Sequence, residues 1–595
     1  MKITSSFVLW SSMIFIVLVG FFYYPRWEQR PGEATISFDV AGYYSYLPAS
    51  FIYKDLKHCN YTQDKSLINK YNRETIDAGF IHQPSGNYVL KYSSGQALLM
   101  SPYFFIAHYI TTHFTQYPAD GFSLPYQRGI GIGMLLYGLI GLYYLRKVLL
   151  HYFPDWLVSV AIITLVLGTN YLNYIAIDTG MTHSVLFTIY TLIMYRTILF
   201  YKNPNLKNAL SIGLLIGLAT LIRPTEIIAL LLPILWDINS IQALKERIIF
   251  FWRHLQYPIM TGVGIVAFVS IQLIYWKLVS GDWIVYSYQN QGFSWFHPHV
   301  YAYTLEYRCG WLRLCPMMLF AFLGIYPLIK FKKNTFAILG FFAINFYIVT
   351  AWDIWDYGGT GGRAMVQSYP ILIFCIASLI LWVQEYRILK WIFYALYALC
   401  IYINIWWTHN AHRGSVQVMD MSNQYYWAVL GKWQVPLETK KHLDNKDIFW
   451  GTPQNSQLLY ANDFEQDSTG NCIQKDNNNH VLVLDQDHQN SKEYGFTFDR
   501  HRYTWLRASS YVVCGQKEWN VWEMAQIKIA FFNKKIQIKD NFIRVYRVIE
   551  DGFHGTVYLD ARVPEEAFDA VRISFYNAGG KKKISFDSVR VIGFN

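Results

Sequence analysis

Asp39 stands in Phe38-Asp39-Val40-Ala41-Gly42-Tyr43-Tyr44-Ser45-Tyr46, a lone carboxylate followed by three tyrosines. A carboxylate among phenol rings can act as general base on a hydroxyl in an aromatic, sugar-binding pocket. The competing reading is a helix cap ahead of an apolar turn, and spacing alone favours the cap. Lys91, in Leu90-Lys91-Tyr92-Ser93-Ser94-Gly95, could hold a lipid phosphate as a point charge. Lysines near headgroups also simply snorkel. Asp178-Thr179-Gly180-Met181-Thr182-His183 puts a carboxylate and an imidazole into six residues. A histidine so placed is more often a structural donor than a ligand. The fourth stretch is Trp352-Asp353-Ile354-Trp355-Asp356-Tyr357-Gly358-Gly359-Thr360-Gly361-Gly362-Arg363. Its four glycines expose backbone N–H groups beside Arg363, a plan suited to an anion. It is not a P-loop, since no Gly-Lys-Ser/Thr closes it, and glycine turns between helices are frequent. His297-Pro298-His299 offers two imidazoles without a neighbouring carboxylate or cysteine, which favours a structural role.

The elements that must position these residues are membrane helices. Hydrophobic residues make up 53% of 595 and charged residues only 15%, below the roughly 25% charged of soluble domains. The mean hydropathy of +0.16 is too low for a chain that is membrane throughout, so polar stretches must dilute the spans. Apolar runs of bilayer-crossing length fall near 7–24, 129–145, 157–177, 184–200, 209–222, 225–236, 259–279, 312–329, 334–351, 369–384 and 390–407. The reading is therefore an α-helical polytopic membrane protein of about eleven spans. The fifth and sixth are short half-buried helices meeting at a polar Arg223-Pro224 turn, because arginine cannot rest in lipid.

Alternate connections hold twelve lysines and arginines, whereas the intervening connections after the first outer loop, at 178–183, at the half-span turn, at 280–311 and at 352–368, have only Arg223, Arg308 and Arg363. By the positive-inside rule the first set faces the cytoplasm, the N-terminus is inside and the C-terminus outside. The net charge of +11 mostly reflects this bias and does not argue for nucleic acid. The first span lacks a small-residue cleavage site and reads as a retained helix. Residues 25–128 form a first outer loop too long to be structureless, and Ser94–His113 suits an interfacial helix.

Past a linker at 411–439, residues 440–595 change to period-two runs such as His480-Val481-Leu482-Val483-Leu484 and Val571-Arg572-Ile573-Ser574-Phe575. These read as a periplasmic β-sandwich, jelly-roll-like. Cys472 and Cys514 lie there, where an oxidising compartment would permit a disulfide.

Residues 1–410 resemble the GT-C class of polytopic glycosyltransferases, in the branch related to protein O-mannosyltransferases and the lipid A aminoarabinose transferase. The likeness rests on ordered motifs: Asp39 after the first span, Lys91-Tyr92-x-x-Gly95, Met181-x-His183, Ile222-Arg223-Pro224-Thr225, the Tyr286 to His299 stretch, and Asp356-Tyr357-Gly358-Gly359 leading to Arg363. It implies a GT-C fold and sugar transfer from a polyprenyl-phosphate donor to a glycan, lipid or protein acceptor at the outer face of a bacterial cytoplasmic membrane. It also implies Asp39 as catalytic base, an inverting reaction, and Lys91 and Arg363 on the donor phosphate. Tyr43, Tyr44, Tyr92, Asp178, His183, Asp353 and Asp356 are expected to line the substrate pocket. No cofactor is required by this reading, and a divalent metal ion is left open. The alternatives are a transporter or flippase of lipid-linked sugars without catalysis, and a structural subunit.

Overall fold

The computed structural model describes the whole chain except residues 1–3, 78, 414–415, 417–419, 467–471, 477–478, 500, 517, 519–520, 550–552 and 580–581. Among the described residues, six helices are long and apolar enough to cross a membrane: Ser5–Glu28, Leu124–Leu149, Thr182–Lys202, Gln256–Ser280, Arg363–Val383 and Arg387–Arg413. Five shorter apolar helices accompany them: Asp155–Gly168, Leu206–Ile222, Pro224–Leu235, Pro316–Lys330 and Thr335–Ala351. The chain is a multi-pass membrane protein. It divides into two compact units, Met1–His412 and Arg413–Asn595.

In the first unit the helices are set by apolar runs and stopped by identifiable side chains. Thr4 caps the first by accepting from the Phe7 N–H, and Asn205 caps Leu206–Ile222 by accepting from Asn208. Arg223 and Pro224 break the next pair where expected: proline removes a backbone donor, and Arg223 takes an extended backbone. The run 157–177 is not one helix. It stops at Gly168 and restarts as the π-helical turn Asn173–Ile177. The Thr169 hydroxyl donates back to the Leu165 carbonyl, and Asn170 is drawn into a distant loop.

Residues 25–128 fold into short helices at Asp39–Tyr44, Lys65–Tyr71 and Arg73–Ile76, then a hairpin pairing Phe80–His82 with Tyr88–Leu90. The helix Gly95–Phe114 follows. Met100, Phe104 and Ala107 on one face are buried, and Leu98, Phe105, Ile106, Tyr109 and Phe114 on another are exposed, the pattern of a helix with an apolar face turned to lipid.

The second unit holds two antiparallel sheets. One runs His554–Arg562, Trp505–Cys514, Ile584–Phe594, Asn479–Leu484, Ile473–Asp476, with Gln457–Asn462 also on Ile584–Phe594; the other runs Tyr494–Phe496, Ala570–Asn577, Ala525–Asn533, Ile536–Arg544. Leu506, Ala508, Val512 and Cys514 alternate inward along one strand, and Phe586 registers with both Val512 and Leu482. Ile527, Ile529 and Phe531 of the other sheet join the same core. Within the stretch read as a linker stands the short helix Asn423–Val429. Among the described residues no disulfide joins Cys472 to Cys514 or any other pair of cysteines.

Candidate active site

Asp39 opens the six-residue helix Asp39–Tyr44, and the residue before it, Phe38, sits at φ 48° and ψ −124°. For a bulky side chain that backbone costs on the order of 1–3 kcal/mol and persists only where its surroundings impose it. The Phe38 N–H donates to the Glu74 carbonyl at 2.8 Å, which fixes the turn. The cap favoured by spacing is not what Asp39 does: the cap position is Phe38 and no side chain caps the helix. The carboxylate has stronger partners. Arg363 Nη2 lies 2.5 Å from Oδ2, and the Tyr92 hydroxyl donates to Oδ1 at 2.6 Å. Enclosure alone would push the Asp39 carboxyl up, but Arg363, the Tyr92 hydrogen bond and, more weakly, Arg223 outweigh it and hold the group below its ordinary value.

Arg363 reaches Asp39 from the end of the glycine-rich stretch. Gly362 is in the left-handed region at φ 63°, and a Cβ there would lie 2.4 Å from Trp311 Cβ, so only glycine fits. Asn170 holds the same loop by donating to the carbonyls of Thr360 at 2.8 Å and Gly361 at 2.6 Å, and itself accepts from the Tyr369 hydroxyl. The Arg363 guanidinium stacks 4.6 Å from the Tyr357 ring. Its Nε is buried and among the described residues has no hydrogen-bond partner, a donor left for a ligand.

Lys91 and Tyr92 follow the hairpin. The Tyr43 and Tyr92 rings are 4.6 Å apart, and Lys91 Nζ lies 5.2 Å from the Tyr288 ring and 5.8 Å from that of Tyr92. Ser287 fastens the segment by donating to the Lys91 carbonyl at 2.6 Å. Lys91 makes no salt bridge to any described carboxylate. Enclosure lowers its pKa while Asp39 acts in the opposite direction. Gly95 closes the motif for a steric reason: a Cβ would lie 2.5 Å from the Ile222 nitrogen and 2.6 Å from the Leu221 carbonyl carbon. Gly95→Ala should therefore destabilise the protein by about 1–3 kcal/mol and reduce turnover. Thermal unfolding and assay of the same sample check this; an unchanged melting temperature with full activity contradicts the close approach.

The remaining expected pocket residues have partners of their own, though Asp178 and His183 stay near enough to Arg363 to feel its charge. Tyr44 is fully buried, donates to the Gly121 carbonyl at 2.6 Å and packs against Phe104 and Phe122. Asp178 pairs with Arg26 at 2.5 Å and accepts from Asn173. His183 is buried, with Nδ1 3.3 Å from Gln367 Oε1 and its ring edge-on to Tyr174. Asp353 accepts from the Gly292 N–H at 3.0 Å and the Ser294 hydroxyl at 2.7 Å, organising the 281–299 loop, and Asp356 pairs with Arg308 at 3.1 Å. Around Asp39 the structure thus collects Tyr43, Lys91, Tyr92 and Arg363. It adds Arg223, Tyr288 and Tyr357, which were not expected as site residues. The signal for Arg223 was its cost in a membrane. Among the described residues no group of three or more His, Cys, Asp or Glu converges on one point.

No protein-family model matches the chain, and no curated protein does. Among solved structures it is similar to the apo oligosaccharyltransferase of Archaeoglobus fulgidus, at 11% identity and a TM-score of 0.41, covering 76% of this chain and 60% of that one. It is also similar to the arabinosyltransferase EmbB of Mycobacterium smegmatis, at 11% identity and a TM-score of 0.37, covering 99% and 64%. The chain thus spans less than two thirds of either protein's length.

Proposed function

We propose that this chain is an inverting glycosyltransferase that takes a sugar from a polyprenyl-phosphate donor. The acceptor is a hydroxyl of a glycan, lipid or protein, and the reaction occurs at the outer face of a bacterial cytoplasmic membrane. The observation that carries the reading is the Asp39 carboxyl group held by Arg363 and Tyr92, with Lys91 beside it among tyrosine rings. Asp39 takes the acceptor proton as the acceptor oxygen attacks the anomeric carbon; the bond from that carbon to the phosphate oxygen breaks and its electron pair leaves with polyprenyl phosphate. Lys91 and the free Arg363 Nε balance the charge that accumulates on the leaving phosphate, where low surrounding polarity makes such contacts strong. Tyr43 and Tyr92 offer ring faces and a hydroxyl for sugar contacts.

In this reading all eleven apolar helices cross or enter the bilayer, the N-terminus is cytoplasmic, and residues 440–595 form a jelly-roll-like periplasmic domain following a linker. Asp178 and His183 support the wall of the pocket, and Asp353 and Asp356 shape the loops at its mouth. Proteoliposomes loaded with a polyprenyl-phosphate sugar separate this function from transport. Sugar transfer that stops in Asp39→Asn supports the transferase; transbilayer movement of the lipid-linked sugar without transfer, unaffected by Asp39→Asn, overturns it.

A further inference from the structure

Arg223 is half-buried at the break between two apolar helices, and among the described residues its guanidinium makes neither a salt bridge nor a hydrogen bond. The nearest carboxylate in sequence, Glu226, is already engaged: Gln367 donates to its Oε1 at 2.7 Å and the Tyr190 hydroxyl to its Oε2. Arg363, by contrast, is paired with Asp39. Arg223 lies near enough to influence Asp39 and His183, and Tyr43, Glu226, Tyr357 and Tyr288 are near enough to influence it, so it shares the tyrosine neighbours of Lys91 and Arg363. The backbone places it there, because Leu221 and Ile222 press against Gly95, four residues beyond Lys91. A half-buried guanidinium with no directly bonded counter-charge is costly, and a ligand anion removes that cost.

We propose that Arg223 is a direct ligand of the donor phosphate, forming with Lys91 the two-cation cradle that Arg363, committed to Asp39, completes only with its Nε. This rests on the donor class proposed above and adds a residue and a division of labour to it. A guanidinium presents paired donors to a phosphate, which a lysine cannot.

The test measures binding of a polyprenyl monophosphate and of the neutral polyprenol of equal length to the full chain in nanodiscs. The wild type should prefer the phosphate. Arg223→Gln should lower that preference about tenfold or more, the scale of a lost charge-assisted hydrogen bond, and leave polyprenol binding as in the wild type. Arg223→Lys should lose about threefold or more, since charge remains but the paired donors do not. An unchanged preference in Arg223→Gln overturns the proposal; should that variant fail to fold, an unchanged preference in Arg223→Lys overturns it. A wild type that binds both lipids equally would refute the donor class itself, a result distinct from an Arg223 variant that matches a phosphate-preferring wild type.

Discussion

Asp39→Asn should lose turnover by about 10²–10⁴-fold, the usual contribution of a general base, while the protein folds and binds donor as before. The amide can keep both neighbours: its oxygen accepts from Arg363 Nη2, and its NH₂ donates to the Tyr92 hydroxyl, which now acts as acceptor. What it cannot do is take a proton. Turnover, donor affinity and melting temperature measured on one preparation check this, and wild-type turnover would remove Asp39 as the base.

Arg363→Gln should produce a different signature. In the wild type Arg363 is the strongest influence lowering the Asp39 pKa, so the base stays ionised to pH values below the ordinary carboxylate range. Activity, which needs the ionised form, should fall only as pH drops through that depressed value. Without the guanidinium, only the Tyr92 hydrogen bond and Arg223 still oppose the upward push of enclosure, and the acid limb of the pH–rate profile should move to higher pH by about 1–3 pH units. Maximal turnover should also fall, since Nε no longer meets the leaving phosphate. A profile whose acid limb stays in place in Arg363→Gln would show that the pair does not set the base.

Much of the fold is legible in the sequence because apolar length and strand alternation are local properties. Ile527, Ile529 and Phe531 announce their strand two residues at a time. The helix breaks are less legible: an 18-residue apolar window runs across Thr169 and Asn170 without registering that their side chains bond elsewhere. The strands Gln457–Asn462, Ile473–Asp476 and Tyr494–Phe496 are less legible, being short.

In the site, residue types are legible and pairings are not. Asp39 and Arg363 are 324 residues apart, and nothing in either segment shows that one neutralises the other. Tyr43 and Tyr44 could have been separated by recognising the short helix. Asp39 and Tyr43 are four residues apart and share a face, while Tyr44 lies about 100° further round, where it enters the core. Arg223 was readable as a polar turn, and its role depends on a space that only the packing of Gly95 against Ile222 defines.

The central claim is the donor class, and it is tested most directly by giving the purified full chain in nanodiscs a polyprenyl-phosphate sugar and, separately, nucleotide sugars, each with an envelope-glycan acceptor. The account predicts release of polyprenyl phosphate with transfer of the sugar and inversion at its anomeric carbon, and no transfer from nucleotide sugars. Transfer from a nucleotide sugar alone would contradict it.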